Sequence, residues 1–483
     1  MTLGAESAAT VSERPMDTPR ADAVRRLPSV PFVDTGTYPT RTGNHVVPWI
    51  DGEPAFRRIC EAIELAQESV WATITFMWSS FQMPDGRGTA LDVLERAAHR
   101  GVDVRLLCWR PDDETEALRP NAFWGSAEHF ELLTRCYPRV NIRWDRAHPG
   151  YCQHQKSWLV DAQRDAATSF IGGINLNPNS LVTSQHRGER HNHDVYVEVA
   201  GPAVADVHHN YVQRWNEASE RARDDGRWGE RGDDQLDYPT RAPRARGDVV
   251  VQIQRTTHAG RYTDRHPPPD ASPYPIALGE RTNLDQYRAA IRAARRTIYL
   301  EHQFLDVVEI ISALGEALTR GVEIVAMLPA APELLSPASA APERIAALEA
   351  RACLSEHEHF TLCGMAGCAV DGSRTPVYVH SKLMLVDDEW ASVGSCNLHR
   401  YSLFGNGELN AAFSDGRSVR ALRVALFQEH LDADTTEMDD VEALRLFRRV
   451  ALSNRQRHAR NDPHWQGMAF ALDVASYGVA PQL

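Results

Sequence analysis

Tyr151–Asn175 reads YCQHQKSWLVDAQRDAATSFIGGIN, and Tyr378–Asn397 reads YVHSKLMLVDDEWASVGSCN. Both stretches set a Lys two residues after a His and five before an Asp: His154, Lys156, Asp161, then His380, Lys382, Asp387. Of the 52 Lys and Arg residues in the chain, Lys156 and Lys382 are the two lysines. A chain that uses Arg everywhere else keeps a compact ammonium at two equivalent places, where the bulkier guanidinium fork would not serve. A single His-x-Lys is an ordinary surface pattern. Two copies in register are a repeat.

The repeat extends outward. FRRICEAIELAQESVWATITFMW (56–78) changes from helical to strand periodicity after Glu68, and LDQYRAAIRAARRTIYLEHQFL (284–305) makes the same change near Thr297. LDVLERAAHRGVDVRLLCW and IISALGEALTRGVEIVAMLP each read as helix, glycine, strand, with Gly101 and Gly321 at the C′ position. The halves are offset by 220 residues at those glycines, 226 at the lysines and 222 at Asn175 and Asn397, as one duplication with small insertions predicts. Strands alternating with helices in both halves predict an α/β fold with mixed sheets and helices on their faces. The expected organisation is a poorly ordered arm over 1–45, a first unit over 46–216, a polar Gly- and Pro-containing linker over 217–248, and a second unit over 249–483 that ends in a helical extension.

A strand places His and Lys of each motif on one face. A neutral imidazole can attack phosphorus while the adjacent ammonium meets the non-bridging oxygens of a phosphodiester. The amides of Asn175 and Asn397, each just after a glycine-containing turn, add donors for the same oxygens, so Lys156, Asn175, Lys382 and Asn397 form the expected phosphate-binding set. Asp161 and Asp387 complete the motifs and are expected to fix the strand ends.

Composition bounds the alternatives. With 43% hydrophobic residues over 483 positions the chain can bury a large core. A net charge of -13 argues against a polyanionic nucleic-acid partner. No 18-residue apolar run and no secretory leader are evident, so a cytoplasmic protein is expected, with transient contact at a membrane surface. The eight cysteines show no metal spacing and read as reduced, mostly buried thiols. His186, His191, His193, His208, His209, His357 and His359 are too closely spaced for a recognised metal motif and read as loop or surface histidines. The aromatic run FMWSSF (76–81) reads equally as an acyl-chain contact or a buried strand end.

The two H-x-K-x4-D copies, with GGIN and GSCN after them, resemble the phospholipase D superfamily from about Pro54 to Asp415. HDVYVEVAGPAVADVHHNYVQRWN and IYLEHQF are similar to its phospholipid-cleaving branch. The resemblance implies two homologous α/β mixed-sheet domains about a pseudo-twofold, one shared active site and no cofactor or metal. It also implies an acidic residue 25 to 40 positions beyond each motif His that holds its imidazole, which here gives Asp194 and Glu408, and it implies Gln303 as a pocket residue. His154 is then the nucleophile and His380 the acid, although the duplication itself does not distinguish them. The implied activity is removal of a glycerophospholipid headgroup through a phosphohistidine, with water or an alcohol as acceptor. The alternatives are a cardiolipin-synthase-like phosphatidyltransferase, another phosphodiesterase or nuclease, and a non-catalytic scaffold.

Overall fold

The computed structural model describes residues 29–111, 132–133, 135–188, 191–218, 234–332, 341–369 and 371–482. The first half contributes β1 (Arg41–Ile50), β2 (Ser69–Ile74), β3 (Asp103–Trp109), β4 (Asn141–Asp145), β5 (Ser157–Val160), β6 (Thr168–Gly172), a short β7 (Asn192–His193) and β8 (Val195–Ala200). The second contributes β9 (Val249–Thr257), β10 (Glu280–Arg281), β11 (Thr297–His302), β12 (Glu323–Met327), β13 (Phe360–Cys368), β14 (Arg374–Val379), β15 (Lys382–Val386), β16 (Trp390–Gly394), β17 (Glu408–Ser414) and β18 (Ala469–Ala471).

The pairings repeat strand for strand. In the first half the order is β4-β3-β2-β5-β6-β8-β1, with β4, β3 and β2 parallel and the rest antiparallel. In the second it is β13-β12-β11-β15-β16-β17-β9, parallel and antiparallel at the same places. The predicted mixed sheets and duplication are therefore present. Strands β1 and β9 pair antiparallel, so the two sheets meet at an edge that would otherwise offer unpaired backbone groups.

Local sequence accounts for these elements. Helix Gly52–Leu65 buries Ala55, Phe56, Ile59, Cys60, Ala62 and Ile63, an apolar face at helical spacing. Helix Ala90–His99 starts with a capping box between Thr89 and Asp92. Gly101 (φ 89°) and Gly321 (φ 86°) take the left-handed conformation that follows a helix end, as their sequence positions predict. One apolar core includes Leu159, Ile171, Val195 and Val197 from the first half together with Ile253, Leu383, Val393 and Leu409 from the second. Neither half buries that face alone.

Several expectations change. Residues 1–28 of the expected arm lie outside the described residues, but from Ser29 onward the chain is packed. Val30 is buried in the second half's core, and Thr37 donates its amide and hydroxyl to Glu280. Of the expected linker, residues 219–233 lie outside the described set. The part from Asp234 is anchored: Arg143 donates to the Asp234 carbonyl and Leu236 packs on the core. Cys136, Cys353 and Cys368 are exposed, so only half of the thiols are buried outright.

The motif aspartates hold the sheets together at matching places. Asp161 (φ 53°) accepts the amides of Gln67, Glu68 and Ser69 at 2.7–3.2 Å, and Asp387 (φ 55°) accepts those of Arg295, Arg296 and Thr297 at 2.8–2.9 Å. Each carboxylate caps the start of β2 or β11 and ties it to the end of β5 or β15. Leaving such amides without an acceptor costs about 1–3 kcal/mol per group. Asp387→Ala is accordingly expected to lower stability by about 2–4 kcal/mol, read as a fall in the urea midpoint. An unchanged midpoint contradicts the capping role.

Candidate active site

The described strands begin at Ser157 and Lys382, so both motif histidines and Lys156 lie just before their strands, while Lys382 opens β15 and pairs with His302. What seats these segments is a short parallel pairing with the other half. Gln153 bridges Gly407, with the His154 amide donating to the Gly407 carbonyl at 2.8 Å. In the equivalent place β14 runs parallel to β7, and the His380 amide donates to the His193 carbonyl at 2.8 Å.

This pairing carries the orienting carboxylates across the molecule. His154 Nδ1 lies 3.0 Å from Glu408 Oε2 and 3.1 Å from the Ser395 carbonyl. His380 Nδ1 lies 2.6 Å from Asp194 Oδ2. Each acid serves the histidine of the opposite motif, whereas the sequence reading assigned each to its own. With both Nδ1 atoms engaged, the chemistry falls to Nε2 of each ring.

The motif lysines face the same space. Lys156 Nζ donates to the His154 carbonyl at 2.7 Å, Lys382 Nζ donates to that of His380 and lies 3.1 Å from His380 Nδ1. Both lysines are almost fully buried. Asn397 Nδ2 reaches Gln303 Oε1 at 3.4 Å, and Gln303 donates to the Tyr378 hydroxyl at 2.8 Å, which puts Gln303 beside the second motif. Asn175 is buried at a small recess it shares with Lys156, Thr75 and Phe76. Asp161 and Asp387 stand just past the far ends of their strands and bond backbone amides, as expected of residues that fix the strand ends.

The two halves carry their protons differently. Burial pulls the His154 imidazole below its ordinary pKa, although Glu408 opposes the shift. Burial pushes Glu408 up, but His154 and its hydrogen bonds bring the carboxyl below its usual range. Asp194 goes the other way: burial raises it to about 7 despite Lys382 nearby. Burial lowers Lys156 to about 8 and Lys382 to about 7.

Sequence reading missed the groups that tune this difference. The Ser395 and Ser402 hydroxyls donate to Glu408 at 2.6 and 2.5 Å. Gly173 occupies the place of Ser395 in the first copy, where a Cβ would lie 2.4 Å from Asp194 Oδ1. The GGIN/GSCN difference was the visible signal. Four histidines read as loop or surface are buried: His208 and His209 on helix Val204–Asn216, and His186 and His193 behind the second motif. Phe76 of the aromatic run meets His154 edge-on at 6.3 Å and packs with Trp78 and Trp109.

The duplicated α/β scaffold thus brings two His–Lys pairs, each with a carboxylate from the opposite half, close enough to act on one another's charge. The chain belongs to the phospholipase D superfamily: a family model described as "Cardiolipin synthase, PLD-like domain" matches residues 59–215 and 287–430. The cardiolipin synthase of Listeria innocua is 24% identical over 426 residues, covering 87% of this chain and 75% of that protein. Phospholipase D beta 1 of Arabidopsis thaliana is 23% identical over 559 residues, covering 86% of this chain and 51% of that protein. The fold matches the crystal structure of phosphatidylserine synthase from Haemophilus influenzae, with a TM-score of 0.51, 12% identity and coverage of 86% and 94%.

Two outcomes follow from this geometry. Gly173→Ala is expected to displace Asp194 from His380 and lower kcat by at least about tenfold in a folded protein, measured by steady-state kinetics with circular dichroism as control. Unaltered kcat would remove Gly173 from the site's design. Since both lysines must be charged to hold phosphate, and burial lowers their pKa values to about 8 and about 7, kcat/KM should fall as pH rises through that range. On the acid side it should fall as His154, held below its ordinary value, takes up a proton. A profile that stays flat toward the usual lysine value of roughly 10.4 would contradict the phosphate-binding role.

Proposed function

We propose that the chain is a phosphatidyltransferase acting on glycerophospholipids through a phosphohistidine, in the manner of cardiolipin synthase. The supporting observation is the inequality of the crossed pairs: burial holds His154 below its ordinary pKa beside Glu408, while Asp194, 2.6 Å from His380, is raised to about 7. His154 Nε2 attacks phosphorus as the phosphorus–oxygen bond to the headgroup alcohol breaks, and His380 gives its proton to the departing oxygen. Lys156, Lys382, Asn175 and Asn397 bind the non-bridging oxygens as charge grows on them. An acceptor hydroxyl then passes its proton to His380 and displaces His154.

The acceptor decides the product. Cardiolipin carries two phosphatidyl groups on one glycerol, so a phosphatidylglycerol hydroxyl entering the second step yields it. The relatives favour this transfer reading over the headgroup hydrolysis first expected. Hydrolysis keeps the support of the Arabidopsis match and of the phospholipase-like local stretches. Phe76, Trp78 and Trp109 give an apolar wall beside His154 for lipid. Among the described residues no helix is long and apolar enough to cross a membrane. We place the enzyme in the cytoplasm, in transient contact with the bilayer surface.

The deciding experiment is product analysis by mass spectrometry with phosphatidylglycerol vesicles. Cardiolipin and free glycerol are expected, and phosphatidic acid as the main product would restore the hydrolytic reading. Quench in denaturant at mildly alkaline pH, where the nitrogen–phosphorus bond survives, should leave the phosphatidyl group on the peptide containing His154, and His154→Ala should abolish adduct and product together. Label recovered solely on the His380 peptide would exchange the two roles. Lys156→Arg and Lys382→Arg are each expected to lower kcat by at least about 100-fold with folding intact, whereas near-normal turnover would sink their assignment.

A further inference from the structure

Next to the second motif, three histidines and three carboxylates cluster: Asp51, His186, His193, Glu301 and His430 are buried and Glu429 is partly buried. Asp51 precedes helix Gly52–Leu65, His186 lies in the loop before β7, His193 lies on β7, Glu301 lies on β11, and Glu429 and His430 lie on helix Gly416–Leu431. Among the described residues the three carboxylates form ion pairs only with these histidines.

Four of the groups converge on one point. His186 Nε2 lies 3.0 Å from Asp51 Oδ2 and 3.1 Å from Glu429 Oε1, while His193 Nδ1 lies 3.1 Å from Asp51 Oδ1 and 3.1 Å from Glu429 Oε1. Each of these ring nitrogens faces two acceptors, which a single N–H serves poorly. Asp51 Oδ2, fully buried, makes no hydrogen bond although it points into this space. Ligand atoms bonded to zinc at about 2.0–2.1 Å in a tetrahedron stand roughly 3.3 Å apart, close to these separations.

The remaining groups form a second layer. His193 uses its other nitrogen, Nε2, toward Glu301 Oε2 at 2.9 Å. Glu301 is itself fixed by the Ser381 hydroxyl at 2.7 Å, the Tyr299 hydroxyl at 2.7 Å and His430 Nε2 at 3.0 Å. With Nε2 of His193 directed at Glu301, Nδ1 is the ring atom that faces Asp51 and Glu429, and a cation between them would be ligated by all three. A carboxylate on the outer nitrogen of a histidine is the usual support of a metal ligand. The first motif is seated without an equivalent of this cluster. The first half places Gly407 where the second motif has His193, and Thr73 where it has Glu301, and it still seats its own histidine.

We propose that Asp51, His186, His193 and Glu429 bind one divalent ion of the zinc class, outside the catalytic centre, as a tie between the two halves. Two imidazoles and two carboxylates, three of the four groups buried, suit that class better than calcium or magnesium, which take more oxygens. The dication offsets Asp51 and Glu429 and leaves Glu301 to its own donors.

The test uses the whole chain without a polyhistidine tag, saturated with zinc and desalted. Metal analysis is expected to give about one zinc per chain, and His186→Ala and Glu429→Gln are each expected to lose it. Cobalt added to metal-stripped protein should show visible bands of tetrahedral intensity, and zinc should raise the melting midpoint of the wild type but not of Glu429→Gln. No retained zinc, or equal retention in both variants, overturns the proposal. Should neither variant fold, wild-type protein lacking the tetrahedral cobalt spectrum overturns it as well.

Discussion

Glu408 reaches His154 from the opposite half of the molecule, and Asp194 reaches His380 in return. Neither imidazole is held by its own repeat, so neither half contains a working site. The crossing is enforced by backbone: each motif segment pairs in parallel with the segment leading into the other half's carboxylate. Those pairings require the sheets to meet face to face, and the shared apolar core and the β1–β9 edge make them do so. Burial of that face stabilises the whole by the general gain of about 25 cal/mol for each Å² of apolar surface removed from water. The site exists only where the two halves are docked.

A duplicated site starts with two equal histidines, and attack on phosphorus needs unequal ones. Small differences divide them. Burial pushes both carboxyls up, but His154, Lys156 and the Ser395 hydroxyl bring Glu408 below its usual pKa range, while Asp194, with Gly173 in place of a serine, stays raised to about 7. The same low-dielectric setting that separates the histidines also lowers both lysines, so the ammonium groups are held ready for an anion that restores their charge on arrival. Desolvation is the common cause. It makes phosphate binding strong and proton positions unequal, and it comes from packing.

The helix Val204–Asn216 shows how far that packing reaches. It is polar on several faces yet buried along almost its whole length, because Arg214 pairs with Asp145 and Asn210 bonds Gln155 of the first motif. Buried polar groups satisfied in this way fix a neighbour's orientation. Gln155, between His154 and Lys156, inherits its position from that helix.

The sequence by itself carried the duplication, the mixed α/β class and the identity of the motif residues. Period, glycine caps and the two isolated lysines are local signals, and Gly101, Gly321, Lys156 and Lys382 stand where those signals put them. Asp161 and Asp387 were legible as strand anchors because a short acid at a strand end has few other partners than backbone amides. Tertiary structure alone decided which acid serves which histidine, since spacing along the chain says nothing about pairing between halves. It also decided that His186 and His193 lie buried among Asp51, Glu301, Glu429 and His430, residues spread over 380 positions with no common motif. Contacts of that sequence separation arise from how two sheets dock, and a linear pattern does not encode the docking.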